Sequence, residues 1–194
     1  MSRRILIIQG HPDPAGGHLC HALADAYANG AVKRGHEVRQ LAVSALDLPL
    51  LRRQEDWIAP PPPKVAQCQD AIAWSNHLVI IYPLWHGALP AVLKGFFEQV
   101  FREAFVMSAD AGGQKWHKGL SGRSARIVVT MGMPALVYRW YFGAHTLKGL
   151  ERNILRFAGI GPIRETLIGS AGTMPPDRAE KYLSKLRDLG ATAR

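Results

Sequence analysis

The segment His77-Leu78-Val79-Ile80-Ile81-Tyr82-Pro83-Leu84 decides the fold of this chain. Its continuous apolar run is typical of a strand that is buried on both faces of a parallel sheet. One helix is predicted before it, over Val65–Asn76, and another after it, beginning at Pro90, whose fixed φ suits the first position of a helix. The segment therefore predicts a helix–strand–helix unit of an α/β fold.

The same alternation of strand and helix continues in both directions along the chain. Four more strands are predicted, at Arg4–Gln9, Glu37–Val43, Ala125–Met131 and Ile163–Gly169. Further helices are predicted over His18–Arg34, Thr146–Ala158 and Asp177–Leu189, the last with Asp177 as its N-cap. Right-handed crossovers place such helices on both faces of one parallel sheet. The sequence thus predicts a five-stranded doubly wound parallel sheet in a single α/β domain over residues 1–194.

The longest predicted loop runs from Leu46 to Lys64. It contains Pro49 and the run Pro60-Pro61-Pro62-Pro63, and proline lacks the amide donor that helices and sheets require. A loop of this length is a candidate rim for a binding site.

Length and composition fit a globular protein. The chain has 194 residues, of which 47% are hydrophobic, which is enough to bury a core. Its longest apolar runs fall well short of the roughly 20 residues of a membrane helix. The two cysteines, Cys20 and Cys68, have no metal-type spacing and are expected to be reduced thiols. We expect a cytoplasmic protein with no membrane insertion and no metal.

The net charge of +9 suggests an anionic partner without identifying one. The basic residues are scattered, and they form neither a dense run nor a helix-turn-helix pattern, so we expect no nucleic acid as partner. A dinucleotide, an acidic protein surface and a solvated basic surface all remain open as explanations of the charge.

Three predicted loops follow the first, third and fourth strands, and all three have an unusual composition. They are Gly10–His18, Pro83–Leu89 and Gly132–His145. In open parallel sheets, ligands bind outside the carboxyl ends of the strands, near the switch in strand order. These loops are therefore the candidate binding site.

The first loop is rich in glycine and proline and leads into a helix. Exposed backbone amides in such a loop can hold a phosphate, with help from the helix dipole. The loop contains neither G-x-x-x-x-G-K-[ST] nor G-x-G-x-x-G, so a standard nicotinamide Rossmann site is disfavoured. A phosphate site and a simple tight turn are both compatible with this composition.

The other two loops carry aromatic side chains. Trp85-His86-Gly87 follows the central strand, so Trp85 either covers the core or lies against a planar ring that the backbone approaches closely at Gly87. The aromatic run Tyr138-Arg139-Trp140-Tyr141-Phe142, with His145 close behind, indicates either helix packing or a pocket wall with proton donors.

The segment Tyr82–Arg102 resembles the signature of the NAD(P)H:quinone oxidoreductase family. The resemblance rests on Pro83-Leu84, Pro90-Ala91, Leu93-Lys94-Gly95 and Glu98-Gln99-Val100-Phe101. It extends to the Gly-His-Pro start of the first loop, to Asp47-Leu48-Pro49 and to Asn153–Gly159, and so spans most of the chain. It implies a flavodoxin-like fold, with strand order 2-1-3-4-5, and a flavin held at the strand ends.

The resemblance also implies roles for individual residues. The phosphates of the flavin would lie along His11, Gly17 and His18. The edge of the isoalloxazine ring would contact Pro83, Leu84, Trp85, His86 and Gly87, and its pyrimidine side would be held by Thr130, Met131 and Gly132. Tyr138 and His145 match the family's catalytic tyrosine and, within one position, its histidine partner.

The implied activity is hydride transfer from NAD(P)H to the flavin, and then from the flavin to a quinone or a similar flat aromatic acceptor. A homodimer is implied because the family's pocket lies between two subunits. The first loop departs from the family, with Ala15-Gly16-Gly17-His18 where side-chain phosphate ligands usually stand. That departure leaves FAD, which we expect, and FMN both open.

Three other functions remain compatible with the sequence. The chain could be a regulatory flavoprotein that docks on a membrane potassium-efflux transporter through its basic surface. It could be a flavodoxin-like electron carrier, although such carriers are usually acidic and this chain has a pI of about 9.9. It could also keep the fold without binding a flavin.

Overall fold

A computed structural model describes residues 2–109 and 116–194 of the chain. These residues include seven strands: β1 (Arg4–Gln9), β2 (Glu37–Ala42), β3 (His77–Pro83), β4 (Met107–Ala109), β5 (Trp116–Lys118), β6 (Ser124–Thr130) and β7 (Ile163–Ile168). Five of them form one sheet in the order β2-β1-β3-β6-β7, and every neighbouring pair is parallel. Counted over this sheet alone, the order confirms the predicted 2-1-3-4-5. Strands β4 and β5 form a separate antiparallel pair.

The helices connect these strands. They are α1 (Leu19–Lys33), α2 (Gln54–Ile58), α3 (Pro63–Trp74), α4 (Ala91–Val100), α5 (Glu103–Val106), α6 (His145–Gly149) and α7 (Pro176–Ala191). Wider π-helical turns cover Val137–Tyr141 and Leu150–Arg156, and short 3₁₀ turns cover Val43–Ala45 and Ala171–Thr173. In the part of the chain that is described, no helix has both the length and the apolar character needed to span a bilayer.

The hydrophobic core lies on both faces of the main sheet. Along β1, Ile5 and Ile7 face the layer of α1 and α7, whereas Leu6 and Ile8 face the layer of α3 and α4. A strand covered on both sides has no solvent face to carry polar residues, which explains the continuous apolar runs of the sequence.

Helices α1 and α7 approach each other closely because a glycine lies at the contact. A Cβ atom added to Gly30 would stand 1.9 Å from the backbone oxygen of Arg187. Any larger residue there would push the helices apart, so this glycine in the middle of α1 has a packing function.

Several predicted boundaries are wrong. The segment Leu46–Lys64 is not a loop throughout, because it contains α2 and the start of α3. The N-cap of α7 is Pro175 rather than Asp177. Asp177 lies inside the first turn, where its negative charge interacts favourably with the positive end of the helix dipole. Likewise Pro90 is the N-cap of α4, and Ala91 is its first residue. The helix predicted over 146–158 consists of α6 followed by a π-helical turn.

Candidate functional site

The three loops meet at one edge of the sheet because β1, β3 and β6 are adjacent and parallel. Gln9 is aligned with Ile81, and Pro83 is aligned with Thr130. The Leu84 amide donates a hydrogen bond of 2.7 Å to the Thr130 carbonyl, so the second and third loops are joined where they leave the sheet. The predicted site residues on these loops therefore lie around one region.

The first loop is folded by hydrogen bonds to its own side chains. The His11 amide donates to Gln9 Oε1 at 2.8 Å, and the Asp13 amide donates to His11 Nδ1 at 3.1 Å. The Ala15 amide donates to Asp13 Oδ1 at 2.8 Å. These bonds fix the path of the chain from the end of β1 to the start of α1.

Beyond Ala15 the loop presents free backbone donors. The amides of Gly16, Gly17, His18 and Leu19, called the amide cradle below, have no hydrogen-bond partner among the described residues. Gly16 and Gly17 have φ of +80° and +77°, and a Cβ atom on either would meet nothing within 4 Å. No described side chain caps α1. Free amides at the positive end of a 15-residue helix fit a phosphate group.

Three histidines surround the amide cradle. The rings of His11 and His18 stack with their centroids 4.0 Å apart, and the His21 ring lies 5.1 Å from His11 and 5.7 Å from His18. His18 Nε2 is 2.7 Å from Asp13 Oδ2. Burial lowers the pKa of His11, and positive charge on His18 and His21 lowers it further. The hydrogen bond from His18 lowers the pKa of Asp13, as does the amide of Ala15. Asp13 and His21 are site neighbours that the sequence analysis did not select.

The second loop forms a tight reversal at Trp85. The Trp85 amide donates to the Ala88 carbonyl at 3.0 Å, and the Ala88 amide donates to the Trp85 carbonyl at 2.8 Å. The two residues between them, His86 and Gly87, both have positive φ, of 48° and 74°, as a type I′ turn requires. The Trp85 side chain is 51% exposed and so does not cover the core. The turn thus presents a half-exposed indole and the amides of His86 and Gly87, which have no hydrogen-bond partner in the described part of the chain.

Thr146 connects the second and third loops and was missed by the sequence analysis. Its hydroxyl donates a hydrogen bond to the Gly87 carbonyl. Tyr138 Oη lies 3.1 Å from Thr146 Oγ1, and it is the donor of that bond because the Thr146 proton is already directed at Gly87. Tyr138 is buried, with 1% of its surface exposed. A threonine next to the predicted His145 gave no sequence signal of its own.

The structure does not bring the predicted pair Tyr138 and His145 together through a hydrogen bond. His145 is exposed at the start of α6, and its ring lies over Gly143, where an added Cβ would stand 2.6 Å from His145 Nε2. The neighbouring Trp140 and Tyr141 are 79% and 82% exposed. The aromatic run is therefore largely on the surface, with Tyr138 as its buried member.

At the end of β6, two of the three predicted ring contacts already have partners inside the fold. Thr130 Oγ1 lies 3.2 Å from Cys20 Sγ, and the Met131 amide donates to the Ile168 carbonyl at 2.9 Å. The Gly132 amide has no partner among the described residues and lies on the surface, which makes it the most available donor of the three. Burial raises the pKa of Cys20 to about 11, so its thiol stays neutral.

A cavity among the described residues lies outside these loops. It measures about 470 Å³ and is lined mainly by apolar side chains, which include Trp57, Phe97, Phe101 and Phe157. The Lys94–Glu98 ion pair also lines it. None of the predicted site residues lines it. Among residues 2–109 and 116–194, no cluster of histidine, cysteine and carboxylate side chains has an arrangement that could hold a metal ion.

Comparison with known proteins agrees with this architecture. NAD(P)H dehydrogenase (quinone) 1 of Rattus norvegicus is 24% identical over 208 residues, which cover 93% of this chain and 74% of the rat protein. Two further relatives are covered over 64% and 61% of their length, which is less than two thirds.

Two solved structures superpose over nearly the whole chain. The NAD(P)H:quinone oxidoreductase of Methanothermobacter marburgensis has a TM-score of 0.82 at 18% identity, with 99% of this chain and 97% of the other covered. An FMN-dependent NADH-azoreductase of Bacillus anthracis, in complex with FMN, has a TM-score of 0.74 at 16% identity, with 99% and 98% covered. At these identities the likeness establishes the fold. A family model described as flavodoxin-like fold matches residues 3–191, and the chain belongs to this family.

Proposed function

We propose that this protein is a flavin-dependent NAD(P)H oxidoreductase that reduces a quinone or another flat aromatic acceptor. The observation that carries the proposal is the pairing, at one sheet edge, of the free amides of residues 16–19 with the half-exposed Trp85. Amides suit the phosphate of a flavin and the indole suits its ring, so one ligand accounts for both features. The name of the rat relative supports the same class of reaction.

The residues of the site divide into a phosphate part and a ring part. The amide cradle and His11 would hold the phosphate, because their donors converge at the start of α1. The ring would lie along Pro83–Gly87, with the amides of His86 and Gly87 free to donate to its heteroatoms. Gly132 would reach its pyrimidine side, with Thr130 and Met131 supporting that loop.

The flavin, when bound, supplies the hydride chemistry by accepting a hydride from NAD(P)H and passing it to the acceptor. The chain's own residues would orient the rings and exclude water, and backbone donors would stabilise negative charge that develops on the ring. Exposed His145 would be the group that delivers a proton to the acceptor. Tyr138, the other predicted catalytic residue, is proposed to position the turn beside the ring through the hydrogen bond that it donates to Thr146.

FAD is the flavin that we propose, and FMN is the alternative. The amide cradle accepts either, because both carry a phosphate at the same distance from the ring. The Bacillus anthracis azoreductase is described with FMN, which favours the alternative. Heating the purified protein and separating the released flavin by chromatography distinguishes the two.

A homodimer in the cytoplasm, with each chain forming a single domain, completes the proposal. Exposed Trp140 and Tyr141 beside the site, and the apolar cavity along α4, provide surface that a second copy could cover. Light scattering coupled to size exclusion measures the oligomeric state directly. A monomer at all concentrations would contradict the dimer without affecting the proposed reaction.

Steady-state kinetics test the reaction itself. NADH and NADPH are each varied at several fixed quinone concentrations, and we expect parallel double-reciprocal lines because the donor leaves before the acceptor binds. Intersecting lines would contradict alternating use of one pocket. Failure of both donors to reduce any quinone, nitroaromatic or azo compound would contradict the proposed function.

A further inference from the structure

We propose that a second anion site lies at the amino edge of the main sheet, opposite the amide cradle, and that it binds a phosphate group, either free or as a monoester. The cavity at this edge measures about 290 Å³. The polar residues that line it are Arg3, His77, Ser124, Arg164, Thr192 and Arg194. The inference is independent of the proposed flavin chemistry, and it would give part of the net charge of +9 a specific partner.

The strand register brings these residues together. His77, the first residue of β3, is aligned with Ser124, the first residue of β6, and Arg126 is aligned with Arg164 of β7. Because side chains two residues apart on a strand share a face, all four point to the face of the sheet that α1 and α7 cover. Helix α7 ends at Ala191, so the cavity lies beside its last turn. Strand β3 has seven residues, which places this edge roughly 20 Å from the amide cradle.

Two guanidinium groups at the cavity lack an acidic partner in the described part of the chain. Arg3 Nη1 donates to Ser124 Oγ at 3.3 Å, and the Arg164 side chain makes no hydrogen bond or ion pair with the described residues. Both residues are exposed, so their remaining donors are accessible. The planar fork of N–H groups in arginine matches the oxygens of a phosphate group. This edge therefore offers two arginine side chains to an anion.

The positive charges at this edge repel one another. Arg126 and Arg164 lie directly opposite each other on β6 and β7, and like charges in that position destabilise a sheet. Burial lowers the pKa of Arg126, and the charge of Arg164 lowers it further. Arg126 is 5% exposed, and its guanidinium donates to the Arg194 oxygen and, at 2.7 Å, to Thr166 Oγ1. These bonds hold a buried positive charge next to Arg164.

Buried His77 is subject to the same excess of positive charge. It is 2% exposed, and its Nε2 is enclosed without a hydrogen-bond partner among the described residues. Burial lowers the pKa of His77, and so do the nearby positive groups, which are Arg3, Arg126, Arg164 and His36. Among the described groups that shift this pKa there is no carboxylate. An anion in the cavity would supply the negative charge that this edge lacks.

The carbonyl end of α7 compensates this charge only in part. The last turn of a helix carries about half a negative charge. Two of its carbonyls, of Asp188 and Leu189, already accept from Thr192 Oγ1, at 3.1 and 3.2 Å. The guanidinium groups of Arg3 and Arg164 carry one positive charge each. A phosphate dianion balances both charges, whereas a chloride or a single carboxylate balances only one, so phosphate is the ligand that fits.

Titration of the full chain with inorganic phosphate tests the proposal. Calorimetry and thermal unfolding are carried out at pH 7.5 and constant ionic strength, with sodium chloride replaced stepwise by phosphate. A ligand that binds only the folded chain raises Tm. We expect a saturable rise of Tm in phosphate and a smaller rise in acetate. Glycerol 3-phosphate is titrated in parallel, and the ligand that binds more tightly identifies free phosphate or a monoester as the preferred form.

Arg164→Gln separates an anion site from a structural role. Phosphate affinity should fall roughly three- to tenfold, because one charged contact is lost. Without phosphate the variant should be at least as stable as the wild type, because the repulsion with Arg126 is removed. Arg52→Gln removes an exposed positive charge elsewhere and is the matched control, which should bind phosphate like the wild type. A less stable Arg164→Gln with unchanged phosphate affinity would overturn the proposal.

The imidazole signals in NMR spectra locate the bound phosphate. The ring of His77 lines the cavity, so its assigned signal should shift when phosphate is added to the wild type and should stay constant in Arg164→Gln. The rings of His11 and His18 lie beside the amide cradle and report binding there. Shifts confined to His11 and His18 would overturn the proposal, because they would place the phosphate at the opposite edge of the sheet.

The outcomes are independent of the proposed function. The absence of a saturable phosphate effect, or equal effects of phosphate, acetate and chloride, would overturn the second anion site. Neither result bears on flavin binding or on the reduction of an acceptor, because no flavin or nicotinamide is present in these titrations.

Discussion

The hydroxyl of Thr146 donates a hydrogen bond to the backbone carbonyl of Gly87, and this bond joins the start of α6 to the turn that follows β3. Tyr138 donates to the same threonine oxygen from the loop after β6. The two hydrogen bonds that link Tyr138, Thr146 and Gly87 therefore position the turn that carries Trp85. If that turn faces the flavin ring as proposed, these hydrogen bonds would couple the order of the two loops to cofactor binding.

Replacing Thr146 with valine tests this coupling. Thr146→Val keeps the shape of the side chain and removes the hydroxyl, so the Gly87 carbonyl and the Tyr138 hydroxyl lose their partner. We expect the free energy of unfolding to fall by about 1 kcal/mol and flavin affinity to fall with it. Thr146→Ser, which retains the hydroxyl, is the matched control and should bind flavin like the wild type. Equal affinities of the valine and serine variants would contradict a positioning role for this hydroxyl.

Replacing Tyr138 with phenylalanine distinguishes two roles for this residue. As a positioning residue buried in the core, Tyr138 acts through Thr146, and Tyr138→Phe should weaken flavin binding more than it lowers kcat. If Tyr138 instead donates a proton to the acceptor, Tyr138→Phe should lower kcat and change the pH profile of kcat while flavin affinity stays constant. We expect the first result, because Tyr138 is 1% exposed and its hydroxyl already donates to Thr146. Flavin titration and the pH dependence of kcat decide between them.

Adding a methyl group to Gly17 tests the amide cradle. Gly17 has a φ of +77°, where an L-residue is strained by roughly 1–2 kcal/mol, and its amide would contact the phosphate. Gly17→Ala should therefore weaken FAD and FMN binding much more than riboflavin binding. Gly172→Ala is the control, since an added Cβ there meets nothing within 4 Å and its φ lies outside the left-handed region. An equal loss for all three flavins would mean that the amide cradle does not hold the phosphate.

Buried His77 predicts a loss of stability in acid. Burial, and then the positive charges of Arg3 and Arg126, lower its pKa from 6.5 to about 3 in the folded chain. The unfolded chain consequently takes up the proton first as the pH falls. The contribution of His77 to stability is complete above pH 6.5 and is lost progressively between 6.5 and 3, by up to about 1.4 kcal/mol per pH unit.

Denaturant unfolding at pH 7.5, 6, 5 and 4.5 measures this effect. His77→Gln cannot titrate, so its stability should fall less steeply than that of the wild type over this range, whatever its absolute stability. The other histidines are common to both proteins and cancel in the comparison. Parallel curves would show that His77 is not a neutral buried group.

The sheet was predictable from the sequence because its central strands, β1, β3 and β6, are buried on both faces. Continuous apolar runs such as Leu78–Tyr82 have few other interpretations at that length, and the helices between them fix a parallel arrangement. The strand β4 was not predictable, because three residues give no periodicity. The N-cap of α7 was wrongly assigned because proline, with no side-chain acceptor, precedes the more usual Asp177.

The position of the site was predictable, whereas its internal contacts were not. Strand order alone brings His11, Trp85 and Gly132 to one edge of the sheet. The stacking of His18 on His11 depends on the side-chain torsions of both histidines and on Asp13, and no local pattern encodes these. Thr146 was missed for the same reason: its partner Gly87 is 59 residues distant in sequence.

We propose that this chain binds a flavin and that NAD(P)H reduces it. The most direct measurement is the visible absorbance spectrum of the full chain loaded with FAD or FMN, recorded anaerobically before and after addition of NADPH or NADH. We expect flavin bands that bleach on addition of the nicotinamide and return when a quinone is added. A protein that takes up neither flavin, or whose bound flavin stays oxidised with both nicotinamides, would contradict it.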